Sequence, residues 1–127
     1  QIFDALESGT AVPQAPQELA ALFRPSVYPY LRSIIQFDPV ALVHEVSQPV
    51  LVVAGDQDIQ VPVNDAELLA SAADSAELLV VEGMNHVLKL VPAGEMQRNQ
   101  QSYYDPSFEL SGALVDGIAS FVNDFDG

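Results

Sequence analysis

The clearest pattern along the chain is a pair of apolar runs, Val50-Leu-Val-Val-Ala54 and Leu78-Leu-Val-Val81, each ending at a glycine turn. Neither run alternates apolar with polar residues, as expected for strands covered on both faces in a parallel sheet. Between them Leu68, Leu69 and Ala72 recur at helical spacing, so a helix over 65–73 with these three inward links strands near 50–54 and 77–82. Strand, helix, strand with short links predicts a βαβ unit with a right-handed crossover and parallel strands. Further on, Leu110, Leu114, Ile118, Phe121, Val122 and Phe125 mark an amphipathic C-terminal helix over 109–125. The polar stretch 92–107 before it reads as a loop.

The first 47 residues read as helical and are broken by proline. Leu19, Leu22 and Phe23 share a face over 17–23, and Arg24-Pro25 stops that segment. Ser26 is placed to cap a second helix carrying Val27, Tyr30, Leu31, Ile34 and Ile35, with Pro29 tolerated in its first turn. Asp38-Pro39 is a start signal, an N-cap followed by proline at the first helical position, for a short helix through Val46. The expected organisation is α/β: a helical segment 1–47 and a βαβα core 48–127, forming one structural unit. Two parallel strands are marginal alone, and an unpaired edge is a template for pairing. The expectation is therefore that further strands come from another polypeptide segment or another copy of the chain, or that the segment adopts a refolded arrangement.

Composition narrows the partners. With 49% apolar residues in 127 the chain can build a core. Eighteen acids against Arg24, Arg32, Lys89 and Arg98 give a formal charge of −14, which repels phosphate backbones and anionic lipid, so neither nucleic acid nor a membrane is an expected partner. The absence of cysteine excludes disulfides, thiolate catalysis and Cys-ligated metal. No apolar run approaches a membrane span, and Gln1-Ile-Phe-Asp-Ala-Leu-Glu7 lacks a signal-peptide pattern. The expectation is a soluble protein of the cytoplasm.

The chemistry follows from the topology. Turns after parallel strands emerge at the same carboxyl edge, where open α/β folds bind ligands. The first turn, Gly55-Asp-Gln-Asp58, delivers an acid, and the second, Gly83-Met-Asn-His86, a histidine. A carboxylate that fixes an imidazole tautomer while the other ring nitrogen moves a proton is two thirds of a catalytic triad, and Asp before His is the order in α/β-hydrolases. No G-x-S-x-G turn occurs in the chain. Ser26, Ser33, Ser71 and Ser111 lie on no strand-to-helix elbow and read as caps or surface hydroxyls.

Gly55-Asp-Gln-Asp-Ile-Gln-Val-Pro62 and Glu82-Gly-Met-Asn-His-Val-Leu-Lys89 resemble the acid and histidine turns of the α/β-hydrolase superfamily, in its serine-aminopeptidase and monoacylglycerol-lipase-like branch. Phe23-Arg-Pro-Ser-Val-Tyr-Pro-Tyr30 and Phe37-Asp-Pro39 resemble the end of that branch's cap and its return to the core. The resemblance covers the half of the fold after the nucleophile. It implies that Asp58 is the triad acid and His86 the base of an esterase-like serine hydrolase whose serine lies outside this sequence. A small-molecule ester is the implied substrate; no metal or organic cofactor is implied.

Other residues carry weaker expectations. Asp56 reads as a solvated turn residue rather than a metal ligand, because Asp56-x-Asp58 lacks the rest of a calcium loop. His44 reads as a surface or interface histidine, and Tyr103-Tyr104-Asp-Pro106 as a loop anchor. Phe23, Tyr28, Tyr30 and Phe37 read as packing residues, with an acyl-pocket lining as the alternative. A reading from a different class is a catalytically silent module that assembles with itself, as a homo-oligomer, or with a complementary N-terminal half.

Overall fold

The computed structural model describes residues 1–124; Phe125, the last residue of the expected C-terminal helix, lies outside the described residues. The chain forms two compact units, the first being Gln1–Leu42 and the second beginning at Val43. No helix among the described residues is long and apolar enough to cross a membrane.

The first unit contains α1 (Ile2–Glu7), 3-10 turns at Gln17–Leu19 and Pro25–Val27, α2 (Tyr28–Ile35) and the start of α3 (Pro39–His44). α1 packs on α2, with Ala5 and Leu6 buried and the Phe3 and Phe23 rings meeting edge to face at 5.6 Å. The helix expected over 17–23 shrinks to the 3-10 turn Gln17–Leu19. Leu19 and Leu22 stay exposed, so no apolar burial offsets the cost of nucleating a longer helix. Ser26 lies inside the second 3-10 turn and does not cap α2, whose N-cap is Val27. Asp38 does cap α3: its Oδ1 accepts from the N–H groups of Val40 (2.9 Å) and Ala41 (3.3 Å).

In the second unit β1 (Val50–Gly55) and β2 (Ala76–Val81) pair in parallel, in register from Val50 opposite Ala76 to Gly55 opposite Val81, with α4 (Val63–Ala72) between them in sequence. α4 packs on both strands, and its least exposed residues include Ala66, Leu69, Ala70 and the C-cap Ala73, an i, i+3, i+4, i+7 stripe with alanine at three of its four positions. Leu68, expected inward, lies off this stripe and is half exposed. α6 (Gly112–Asn123) starts at Ser111, whose Oγ accepts from Leu114 N–H. It covers the sheet face that carries Val53, Leu79 and Val81, and Leu114 joins Val81 and Met84 in the core. A Cβ at Gly117 would meet the tip of Leu79, so glycine there leaves room for that side chain between helix and sheet.

Residues 92–107, expected as a loop, hold a further helix, α5 (Met96–Ser102). Among the described residues β1 and β2 pair only with each other. On the face opposite Leu79 and Val81, Leu78 and Val80 are exposed by about two fifths.

Candidate catalytic dyad

The acid turn grows from the end of β1. Gly55 is required there because an added Cβ would collide with the main-chain carbonyl of Met84. This close approach stitches the two turns together: Asp56 N–H donates to Val81 O (3.2 Å) and Gln57 N–H to Met84 O (3.0 Å). The Asp56 carboxylate adds a third stitch, accepting from Gly83 N–H at 2.7 Å. Asp56 is exposed in its turn, as expected, and also clamps the histidine turn. Asp58 then folds over its own backbone, with Oδ1 accepting from the N–H groups of Gln60 (2.8 Å) and Val61 (2.9 Å). That leaves Oδ2 aimed out of the turn.

The histidine turn leaves β2 through Gly83 at φ +72° and doubles back at Leu88. Leu88 adopts φ +64°, a left-handed conformation that costs a non-glycine residue roughly 1–2 kcal/mol. Buried Asn85 offsets that cost, since its Oδ1 accepts from Val87 N–H (3.2 Å) and Lys89 N–H (3.1 Å) and holds the reversal shut. Held between these bonds, His86 points its Nδ1 at Asp58 Oδ2, 2.9 Å away, from a position 28 residues along the chain.

A carboxylate only accepts, so the Nδ1–H donates and Nε2 becomes the basic nitrogen of the neutral ring. Burial of the Asp58 carboxyl opposes its ionisation. The N–H groups of Val61 and Gln60, and then His86, outweigh that and hold its pKa below the usual carboxylate range. The Asp58 side chain is 12% exposed and that of His86 39%, so the pair has a shielded acid and an accessible base. Both line a cavity of about 280 Å³ whose other walls include Val52, Val61, Leu69 and Met84. Such a pair can take a proton from a hydroxyl placed in that cavity and return it.

The remaining candidates fall elsewhere. His44 is exposed, its Nδ1–H directed at Ala72 O (2.9 Å) near the end of α4. Ser33 and Ser71 donate to carbonyls one turn back, and Ser111 is buried as the α6 cap. No hydroxyl is hydrogen-bonded to His86 among the described residues. Tyr30 and Phe37 are exposed, while Phe23 packs on Phe3. Tyr103 anchors the acid turn, its hydroxyl accepting from Gln60 Nε2 at 2.7 Å, and Tyr104 points into solvent.

Sequence reasoning missed Asn85, Asn99, Ser102 and Lys89. Asn85 Nδ2 reaches Asn99 Oδ1 (3.0 Å) and Ser102 Oγ (2.6 Å), and Asn99 Nδ2 donates to Gln57 O (2.6 Å). Lys89 is part-buried and donates to the carbonyls of Ser102 (2.7 Å) and Asp105 (2.9 Å). The available signal was the spacing of Asn99, Ser102 and Tyr103, which places three hydrogen-bonding side chains on one helical face.

No protein-family model matches the chain, and no curated protein sequence matches it.

Proposed function

We propose that this chain is the C-terminal part of an α/β-fold serine hydrolase acting on carboxylic esters, with Asp58 as triad acid, His86 as triad base and the serine on a segment outside this sequence. The observation that carries the reading is the 2.9 Å contact from His86 Nδ1 to Asp58 Oδ2 between neighbouring turns at the carboxyl edge of two parallel strands. In the reaction, the serine Oγ bonds to the ester carbonyl carbon as His86 Nε2 takes its proton. The tetrahedral intermediate then breaks its bond to the alcohol oxygen, which receives that proton, leaving an acyl-serine. Water, deprotonated by His86 in turn, releases the carboxylic acid and restores the serine. Asp58 stays ionised throughout and stabilises the imidazolium.

The test is reconstitution. The gene upstream of Gln1 is expected to encode a G-x-S-x-G segment, and the joined protein to hydrolyse short p-nitrophenyl esters. His86→Ala in it should lower turnover by roughly 10⁴-fold or more, because triad members act as a unit. The chain alone should show no turnover above background. Turnover by the chain alone that disappears in His86→Ala, or an upstream region without such a segment, would overturn the reading.

A second reading is a catalytically silent, self-associating module. The exposed Leu78 and Val80 favour it, as do the two strands that, among the described residues, pair only with each other. It predicts a stable oligomer and an upstream region that confers no esterase activity.

A further inference from the structure

The face of α5 that points into the second unit is polar, and its contacts are concentrated around the dyad. Asn99, Ser102 and Tyr103 stand at i, i+3 and i+4, so they share one side of the helix. Tyr103 holds the Gln60 side chain and Asn99 holds the Gln57 carbonyl, so the two bonds bracket Asp58 from either side. Asn85, the residue before His86, donates to both Asn99 and Ser102. Asn99 is the one side chain from outside the two turns, among the described residues, that bonds both of them, donating a hydrogen bond to the acid turn and accepting one from the histidine turn. It is 4% exposed, Asn85 1% and Ser102 0%, and no buried side-chain polar atom among the described residues lacks a partner. A fully satisfied buried network admits few alternative geometries, since any rotation leaves a desolvated amide unpaired.

We propose that α5 is a positioning element for the dyad, with Asn99 its central residue: the Asn85–Asn99–Gln57 relay sets the separation and angle at which Asp58 meets His86. None of these residues reaches the His86 ring or any reacting atom. Their effect passes through the main chain on either side of Asp58 and just before His86. The proposal rests on the catalytic reading only for its consequence in turnover; the juxtaposition itself exists in the chain as it stands.

The decisive measurement is therefore made on the full chain without substrate, by nitrogen and proton NMR of His86. In the wild type the Asp58 contact should hold the neutral ring as the Nδ1–H tautomer, with a slowly exchanging Nδ1 proton. Asn99→Ala should lose that proton signal and shift the ring toward the Nε2–H tautomer of free imidazole. Tyr103→Phe removes a single hydroxyl, keeps the fold and should speed exchange of the Nδ1 proton; this variant decides the question if Asn99→Ala does not fold. A lowered melting temperature with tautomer and exchange unchanged would make α5 merely structural and overturn the proposal. Because no esterase assay enters, failure here leaves the hydrolase reading standing, and failure of reconstitution leaves this one standing.

Discussion

Gly55→Ala tests the join on which the dyad depends. An added Cβ would lie 2.6 Å from the Met84 carbonyl carbon and nearer still to its oxygen. Ordinary carbon–carbon contact is about 3.5–4.0 Å, so the two turns must part by roughly 1 Å. The obstacle is main chain and cannot rotate away, which places the strain toward the top of the roughly 1–3 kcal/mol range for overpacking. Parting the turns also weakens the Gln57 N–H to Met84 O bond, worth about 1 kcal/mol. Alanine returns about 0.4–1 kcal/mol by restricting the unfolded chain. The net loss, about 2–3 kcal/mol, should lower the urea midpoint by about 0.7–3 M, since m is about 1–3 kcal/mol/M for small proteins. Gly117→Ala is the companion measurement: its Cβ meets only the flexible tip of Leu79, and a helix gain of about 1 kcal/mol offsets that contact. An unchanged midpoint for Gly55→Ala, or an equal loss for both variants, would refute the claim that this backbone contact is rigid.

Three further outcomes follow. Because the folded pKa of Asp58 is depressed, its ionised contacts stabilise the fold above the unfolded pKa of about 3.9. The midpoint difference between wild type and Asp58→Asn should therefore be constant above that pH and shrink as pH falls through the folded pKa; a difference that grows on acidification would contradict the assignment. Leu114→Ala, which empties a core site against Val81 and Met84, should cost about 2–5 kcal/mol by chemical denaturation, and a loss well under that would show that α6 repacks freely. Sedimentation should find a dimer or larger species that tightens with salt, because Leu78 and Val80 are exposed while the −14 charge is screened over about 10 Å at 0.1 M salt. A compact monomer that binds no hydrophobic dye would count against it.

What the sequence made legible is what buries hydrocarbon in a regular pattern. The runs at 50–54 and 78–81 became β1 and β2, and the 114–121 periodicity became α6, because each has an apolar side to hide. The order of acid and histidine along parallel strands sufficed to bring Asp58 within reach of His86 without any knowledge of side chains. α5 escaped because Met96-Gln-Arg-Asn-Gln-Gln-Ser102 buries one amide, Asn99, and one hydroxyl, Ser102, instead of methyl groups, and a test for apolar periodicity is blind to that. The segment 17–23 failed for the opposite reason: its leucines have the spacing of a helix but nothing to pack against. Leu68 was misplaced because the stripe that meets the sheet carries alanine at three of its four positions, with Leu69 the fourth, and a search weighted toward large residues passes over alanines.

Lys89 is the only lysine in the sequence, and its ammonium is bonded to two main-chain carbonyls at and beyond the end of α5. An amine held in this way reacts with acylating reagents only when the clamp opens, so its labelling rate measures the local opening equilibrium of α5 rather than surface exposure. The chain thus carries its own chemical clock for the motion that would release the two turns, readable by mass spectrometry on the unaltered protein.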